Sequence, residues 1–420
     1  MGRRMKGGMM MTGIALALAF IILPVAAHSA QEKGPIRLGF LSTSSGSFSA
    51  DGQYLRDGLE LYLSKIKYTV AGRKIEVFHE DDKNDAQTGL VKAQRLVEEK
   101  KVHMVSGVVP SNIAYAIKDY LAQNKIPFII CNAGADNLTS RDFSPYVFRA
   151  SFTNSQSGHV FGDWAYKKGH RRLIVLTSDY SAGYEHIGGV AKVFTDAGGV
   201  IVDEIYAPIG TMDFAPYLSR ISPDKADGVL GFLGGVDSIN FVKQYAQYGL
   251  KAKVPLFSLG MIMEHLLPEM GDAALGIVDV APYMPCLNLK TKEHLEFVKA
   301  YRDKFGGKWP NFVCEGAYVS AQLIVKAIEL AGGNVEDPDD LVKAMEKVDI
   351  VAPRGPLKLD KYHNPIQNQY ISVLKKSGKE PLLEITETYP NVGQFWKWTP
   401  EAYMKMAPYS TMKGKWVTKK

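Results

Sequence analysis

VHMVSGVVPSNIAYAIKDYLAQNKIPFIICNAGA, residues 102–135, reads as strand, turn, helix, strand and loop. Val102 to Val105 is a short apolar run suited to a buried strand. Ser106 to Pro110 interrupts it, and Ser111 or Asn112 stands where a helix cap is expected. Ile113, Ala116, Ile117 and Tyr120 then recur at spacings of three and four, one stripe of a helix. Lys125-Ile126-Pro127 ends it, Phe128 to Ile130 forms the next strand, and Cys131-Asn132-Ala133-Gly134-Ala135 leaves that strand's carboxyl end. Two βα loops therefore open at one edge of a parallel sheet, the edge where α/β proteins bind ligands. Unpaired N–H groups at the start of the helix, beside Ser111, favour a carboxylate or a polar oxygen. The stretch predicts a small-molecule pocket that includes Ser111, Asn112, Asn132, Ala133 and Gly134.

Outward from it, residues 1–30 read as a signal peptide. Arg3, Arg4 and Lys6 precede an apolar core from Ile14 to Val25, which is short for a bilayer span. The small residues Ala26-Ala27-His28-Ser29-Ala30 follow, so cleavage is expected after Ala27 or Ala30 and the mature protein is expected in the periplasm. The formal charge is +6, and loss of the three N-terminal cations leaves +3, too little to argue for nucleic acid or an anionic membrane surface. A mature chain of about 390 residues exceeds what one core usually supports and predicts two domains. Three cysteines in an oxidising compartment allow one disulfide, for which position favours Cys286 with Cys314.

The mature part opens with a strand, Ile36 to Leu41, and a Ser/Gly-rich loop from Ser42 to Gly52. That loop lacks the Lys-Ser/Thr ending of a P-loop and the GxGxxG spacing, so it reads as a ligand-facing βα loop carrying Ser45 and Phe48. Glu80, Asp81, Asp82 and Asp85 lack the glycine and glutamate of a calcium loop and read as a solvated turn, with Asp85 near the cap of a helix from Ala86. A second βα series starts after Tyr146 to Arg149. Its strands at 173–176, 228–232 and 255–258 send out loops carrying Tyr180 and Tyr184, Gly235, and Met261. The alternation predicts parallel sheets with helices on both faces, twice over, and Pro145, Pro282 and Pro353 mark a hinge of several crossings. The histidines show no metal-ligand spacing, and neither metal nor cofactor is expected.

At this point the chain resembles the type I periplasmic solute-binding proteins of ABC importers, in the leucine/isoleucine/valine class. The resemblance rests on Gly39-Phe40 with the Ser45-Gly46 to Gly52 loop, Glu80-Asp81-Asp82, Gly107 to Ser111, Ile126 to Ile129, Leu138-Thr139 and Asp179-Tyr180 to Gly183. It covers essentially the whole mature chain. It implies an α/β fold of two Rossmann-like lobes with parallel sheets joined by a three-crossing hinge. The lobes would be 31–148 with 284–350, and 149–283 with 351–420. It also implies a monomer that closes on a ligand and delivers it to an ABC permease whose ATPases are separate subunits.

Carried over residue by residue, the hydroxyl that amino-acid binders use for the ligand carboxylate falls on Ser111. The Ala-Ala-Thr-like loop that completes that site falls on Asn132-Ala133-Gly134, without the threonine. The acid that pairs with the ligand's ammonium falls near Leu259-Gly260, where no carboxylate stands, although Glu264 is close in sequence. A buried ammonium without a counter-charge is costly. Tyr180, Tyr184, Phe48, Met261 and Tyr283 offer aromatic and sulfur surface instead. The combination resembles the branch that takes aromatic carboxylates such as benzoate derivatives; a branched-chain or other amino acid, or an amide, is the alternative. An enzyme is the competing class, with Cys131 as nucleophile. No G-x-S-x-G or H-E-x-x-H motif is present and no histidine neighbours Cys131 in sequence, so a non-catalytic binding protein is expected.

Overall fold

A computed structural model describes residues 1, 2, 5, 7, 33–46, 48–378 and 380–418. The expected signal peptide, whose cations, apolar core and small-residue end fall between Arg3 and Ala30, lies outside them. Met1–Gly34 and Pro35–Lys420 form separate units, and the second carries the fold.

Its first sheet has the order β2-β3-β1-β4-β5-β6, with β1 Ile36–Ser42, β2 Thr69–Val70, β3 Arg73–Asp81, β4 Met104–Gly107, β5 Phe128–Ile130 and β6 Val147–Arg149. All neighbours are parallel except the β2–β3 hairpin. Leu41 pairs with Gly107 and Gly107 with Ile130, so three strands end in line and their loops leave one edge. Gly107 has φ +131°, and a Cβ there would lie 2.0 Å from the Leu41 carbonyl oxygen; only glycine lets the chain leave the sheet here. Helices α1 (Ser49–Lys65), α2 (Ala86–Glu98) and α3 (Ser111–Gln123) connect these strands. Asp85 caps α2 by accepting from the Thr88 N–H.

The chain passes to a second sheet after Arg149. There β7 (Arg172–Ser178), β8 (Val200–Ala207), β9 (Gly228–Phe232), β10 (Leu256–Ser258) and β11 (Val278–Ala281) run parallel, in the order β11-β10-β9-β7-β8. Helices α4 (Asn154–Lys167), α5 (Ser181–Asp196), α6 (Ala215–Leu218), α7 (Gly235–Gln247) and α8 (Leu267–Met270) accompany them. After Ala281 the chain returns to the first core through α9 (Lys292–Lys304), α10 (Phe312–Leu330) and α11 (Pro338–Met345). α10 packs along α1, and Ala317, Leu323 and Ile324 share a core with Phe40 and Leu59. A third passage leads to β12 (Asp349–Ala352), β13 (Gly355–Leu359), β14 (Pro365–Ser377) and β15 (Glu380–Val392), which extend the second sheet antiparallel from β11. The tail, with α12 (Pro400–Lys405), packs Trp396 and Trp398 around the buried His159.

Arg354, 1% exposed, gathers the three passages. Its Nε donates to Glu315 Oε1 of α10 at 2.9 Å and its Nη1 to the Ser151 carbonyl at 2.9 Å.

Candidate functional site

Ser111 is the first residue of α3, and the cap position belongs to Pro110, which has an extended backbone and no side-chain cap bond. The expectation that Ser111 or Asn112 caps the helix is therefore corrected. The Ser111 hydroxyl is drawn elsewhere: its Oγ accepts from the Ala135 N–H at 3.1 Å, joining α3 to the 131–135 loop. Asn112 is exposed.

That loop is held from behind by Arg149, the last residue of β6. The fully buried guanidinium donates to the Ala133 carbonyl, to the Ala135 carbonyl at 2.8 Å, to the Phe152 carbonyl at 3.0 Å and to Thr139 Oγ1 at 3.2 Å. Burial pulls its pKa down to about 10, opposed by Asp136 and Glu185, so it stays cationic at neutral pH. A trans peptide directs its N–H opposite to its C=O; with the Ala133 carbonyl on Arg149, the Gly134 N–H faces the other side of the loop. The Gly134 carbonyl accepts from the Asn154 N–H at 2.7 Å, and a Cβ on Gly134 would lie 2.1 Å from Asn154 Oδ1, so a larger residue would have to displace that side chain. Asn132 donates to the Val109 carbonyl at 3.2 Å while its Oδ1 is buried with no partner among the described residues. Glu185 of α5 accepts from Asn154 Nδ2 at 2.7 Å and from the Asp136 N–H at 3.3 Å. Burial raises the pKa of both acids, and the Asp136 charge adds to the rise on Glu185.

Ser45 donates to Asp81 Oδ2 at 3.0 Å and shapes its own loop; Phe48 packs on the first core. Tyr180 stacks on Phe232 with centroids 6.3 Å apart, and Phe232 stacks on His186 at 3.7 Å. Burial raises the Tyr180 hydroxyl, helped by the charges of Glu185 and of Asp51 on α1. Burial also pushes Asp51 up to about 6. Tyr184 turns elsewhere: its hydroxyl donates to Asp179, which also holds Lys413 of the tail, and its ring meets Tyr206 edge-on at 5.6 Å. The four-residue spacing does not put the two tyrosines together, because Tyr180 precedes α5 with extended backbone (φ −159°, ψ 170°). Gly235 begins α7 at φ +52°, exposed, with nothing within 4 Å of where a Cβ would be. Met261 is core: its Sδ and Cε fill the space over Gly231.

Tyr283 is 1% exposed, and its hydroxyl has no partner among the described residues. It lines a narrow cavity of about 10 Å³, room for one water-sized group, together with Gly260, Met263, Glu264, Asp279 and Phe312. Burial pushes the Glu264 carboxyl up to about 8 and that of Asp279 up to about 7. Asp279 accepts from Ser258 Oγ and, at 2.8 Å, from the Gly260 N–H. Phe312 meets Phe152 edge-on at 5.7 Å, and the Phe152 ring lies against Gly134, so one pair of rings separates this cavity from the 131–135 loop. The sequence placed no acid at Leu259-Gly260. Glu264 and Asp279 supply two in that space, and the pairing of Ser258 with Asp279 across β10 and β11 was the signal missed.

The three cysteines are free thiols, which corrects the expected Cys286–Cys314 bridge. Cys314 Sγ donates to the Asn311 carbonyl at 3.2 Å in the first turn of α10, while Cys286 lies in a bridge to Leu383. Cys131 is fully buried, 3.2 Å from Ser106 Oγ, with its thiol pushed up to about 11 by burial; a nucleophile needs the opposite.

Known proteins share this architecture. The model of a periplasmic binding protein family matches residues 35–379. A Leu/Ile/Val-binding protein homologue of Brucella melitensis is 31% identical over 368 residues, 86% of this chain and 93% of that one. An ABC transporter substrate-binding protein from Sphaerobacter thermophilus superposes with TM-score 0.83 at 34% identity, covering 86% of this chain and 99% of the other. A solute-binding protein of an ABC transporter from Rhodopseudomonas palustris BisB5, in complex with 3,4-dihydroxybenzoic acid, gives 0.80 at 34% identity, with 86% and 98% covered. These relatives are transport proteins of an extracytoplasmic family, and no helix among the described residues is long and apolar enough to cross a membrane. The chain belongs to the periplasmic binding protein family, as a substrate-binding protein of the ABC-transporter kind.

Proposed function

We propose that this protein captures a small aromatic carboxylate of the benzoate type between two lobes, 31–148 with 284–350 and 149–283 with 351–420. It then delivers the ligand, without chemistry, to an ABC permease worked by separate ATPases. The observation that carries the reading is the Ser111–Ala135 hydrogen bond beside a loop whose carbonyls are taken by Arg149. A hydroxyl with its proton still to donate, the start of a helix and the Gly134 N–H turned away from Arg149 together suit a carboxylate. Phe152, Phe312 and the Tyr180–Phe232 pair supply ring surface around it. The Rhodopseudomonas neighbour, solved with a dihydroxybenzoate, supports the class. The protein acts as a periplasmic monomer, exported by its first 30 residues.

One observation favours an amino acid: Glu264 and Asp279 stand in the cavity and could answer an ammonium. The Brucella homologue is named for that class. Calorimetric titration of unfolded and refolded, ligand-free protein separates the two. Benzoate binding with no response to leucine is expected; leucine binding with no response to benzoate would transfer the protein to the amino-acid branch.

A further inference from the structure

We propose that the cavity beside Phe312 is a second polar subsite of the ligand cleft, which takes a hydroxyl on the ring at the end opposite the carboxylate and bonds it through Tyr283 and Glu264. The proposal rests on the aromatic-carboxylate reading above and adds to it the class of ring substituent.

Tyr283 carries the argument. A buried hydroxyl without a partner is costly, and this one lines the cavity with no partner among the described residues. A ligand hydroxyl repairs that, because one O–H both donates and accepts. Glu264 is the natural second partner. It lines the same cavity as Tyr283, and desolvation raises its pKa to about 8 and favours the protonated carboxyl, which offers an O–H donor and a carbonyl acceptor to a neutral group. Asp279 already holds Ser258 and the Gly260 N–H and so fixes the 258–261 turn that forms one wall. A ligand carboxylate placed here would ionise against the buried Asp279 and the half-buried Glu264, whereas Ser111 and the Arg149-backed loop lie across the Phe152–Phe312 pair. The two ends of the cleft therefore differ in charge preference, which orients the ligand. A ring with hydrogen in place of the hydroxyl leaves Tyr283 unsatisfied, and a methyl ether cannot donate to Glu264.

The test is the selectivity ratio, measured by calorimetry on refolded, ligand-free protein at pH 7 with benzoate, 4-hydroxybenzoate and 4-methoxybenzoate. The wild type is expected to bind 4-hydroxybenzoate about tenfold or more tighter than either other acid. In Tyr283→Phe the ratio should collapse toward one. Glu264→Leu should do the same, while Glu264→Gln, which keeps a donor and an acceptor, should retain most of the preference. Far-UV circular dichroism checks that each variant folds, and the two positions report independently. Equal affinity of the wild type for all three acids, or a ratio unchanged in both Tyr283→Phe and Glu264→Leu, overturns the subsite and leaves the benzoate reading standing. Failure of every aromatic acid to bind overturns both.

Discussion

Replacing Arg354 by methionine removes a buried cation of similar length from the junction of the three chain passages. Arg354 and Glu315 are 1% and 0% exposed, and the guanidinium spends Nε and Nη2 on that carboxylate. Its Nη1 bonds with the Ser151 carbonyl and, at 2.7 Å, with Gln367 Oε1 are less critical, since Gln367 Nε2 also donates to Ser151 at 2.8 Å. The cost therefore falls on Glu315, left as an unpaired acid in the interior, and breaking a buried pair from one side is worth about 3–5 kcal/mol. That is a fifth or more of the total stability of an ordinary domain, about 5–15 kcal/mol. The pH dependence gives the mechanism away. Burial already raises the Glu315 pKa while Arg354 lowers it, so losing the arginine raises it further. A raised carboxyl pKa means that the folded state holds a proton the unfolded chain has released, so stability drops as pH climbs from the unfolded to the folded value. The deficit of Arg354→Met should thus be small near pH 4.5 and grow toward pH 7.5, by up to about 1.4 kcal/mol per pH unit. Urea midpoints at pH 4.5, 6.0 and 7.5 measure it, and Glu315→Leu combined with Arg354→Met should recover most of the loss. A deficit under about 1 kcal/mol at pH 7.5, or one that ignores pH, would refute the reasoning.

Ser111→Ala removes the acceptor of the Ala135 N–H; it should cost about 1 kcal/mol of stability and weaken ligand binding about tenfold, and unchanged affinity would take Ser111 out of the site. Iodoacetamide at pH 7 should leave Cys131 of the folded protein unlabelled for hours and label three thiols per chain in urea, given burial that pushes its pKa to about 11; fast native labelling at Cys131 would revive an enzymatic reading. Glu264, raised by burial from its ordinary 4.5 to about 8, penalises the folded state increasingly from pH 4.5 up to pH 8. Ligand-free Glu264→Gln should match the wild type near pH 4.5 and exceed it by about 2–3 kcal/mol at pH 8, after discounting for the side chain's partial exposure, and parallel melting curves across that range would count against the buried acid.

The alternation of apolar runs and helical stripes was legible because it depends on neighbours along the chain. Ile36 to Leu41, Phe128 to Ile130 and Leu173 to Leu176 became buried parallel strands, and the 131–135 loop left the expected edge. Faces were legible only to within a residue. The stripe expected in α3 used Ala116 and Tyr120, whereas the core takes Ala114 and Leu121 with Ile113 and Ile117, and Tyr120 sits at the rim bonding Glu98. The helix is packed by α2 as well as by the sheet, which rotates its buried face. Arg149 ends the Tyr146 to Arg149 run that precedes the second βα series, and nothing in its local sequence announces four oxygens converging from residues 133, 135, 139 and 152.

The acid wall shows most directly why ligand class was harder to read than fold. Looking along the chain for a counter-charge finds Leu259-Gly260 and stops at an apolar residue, which is buried in the second core. In a parallel sheet, however, the nearest side chain to a residue is the one beside it on the next strand, about 4.8 Å away. Ser258, one residue before that position, lies beside Asp279 and hydrogen-bonds it. A carboxylate absent from one strand end is thus supplied by its neighbour, some twenty residues on, and Glu264 joins it because the turn after Gly260 folds back over the same space. The missing acid therefore cannot by itself exclude an ammonium. What favours a ring hydroxyl is the desolvation of both acids, which disfavours their ionised forms, and the Tyr283 hydroxyl beside them, which has no partner among the described residues.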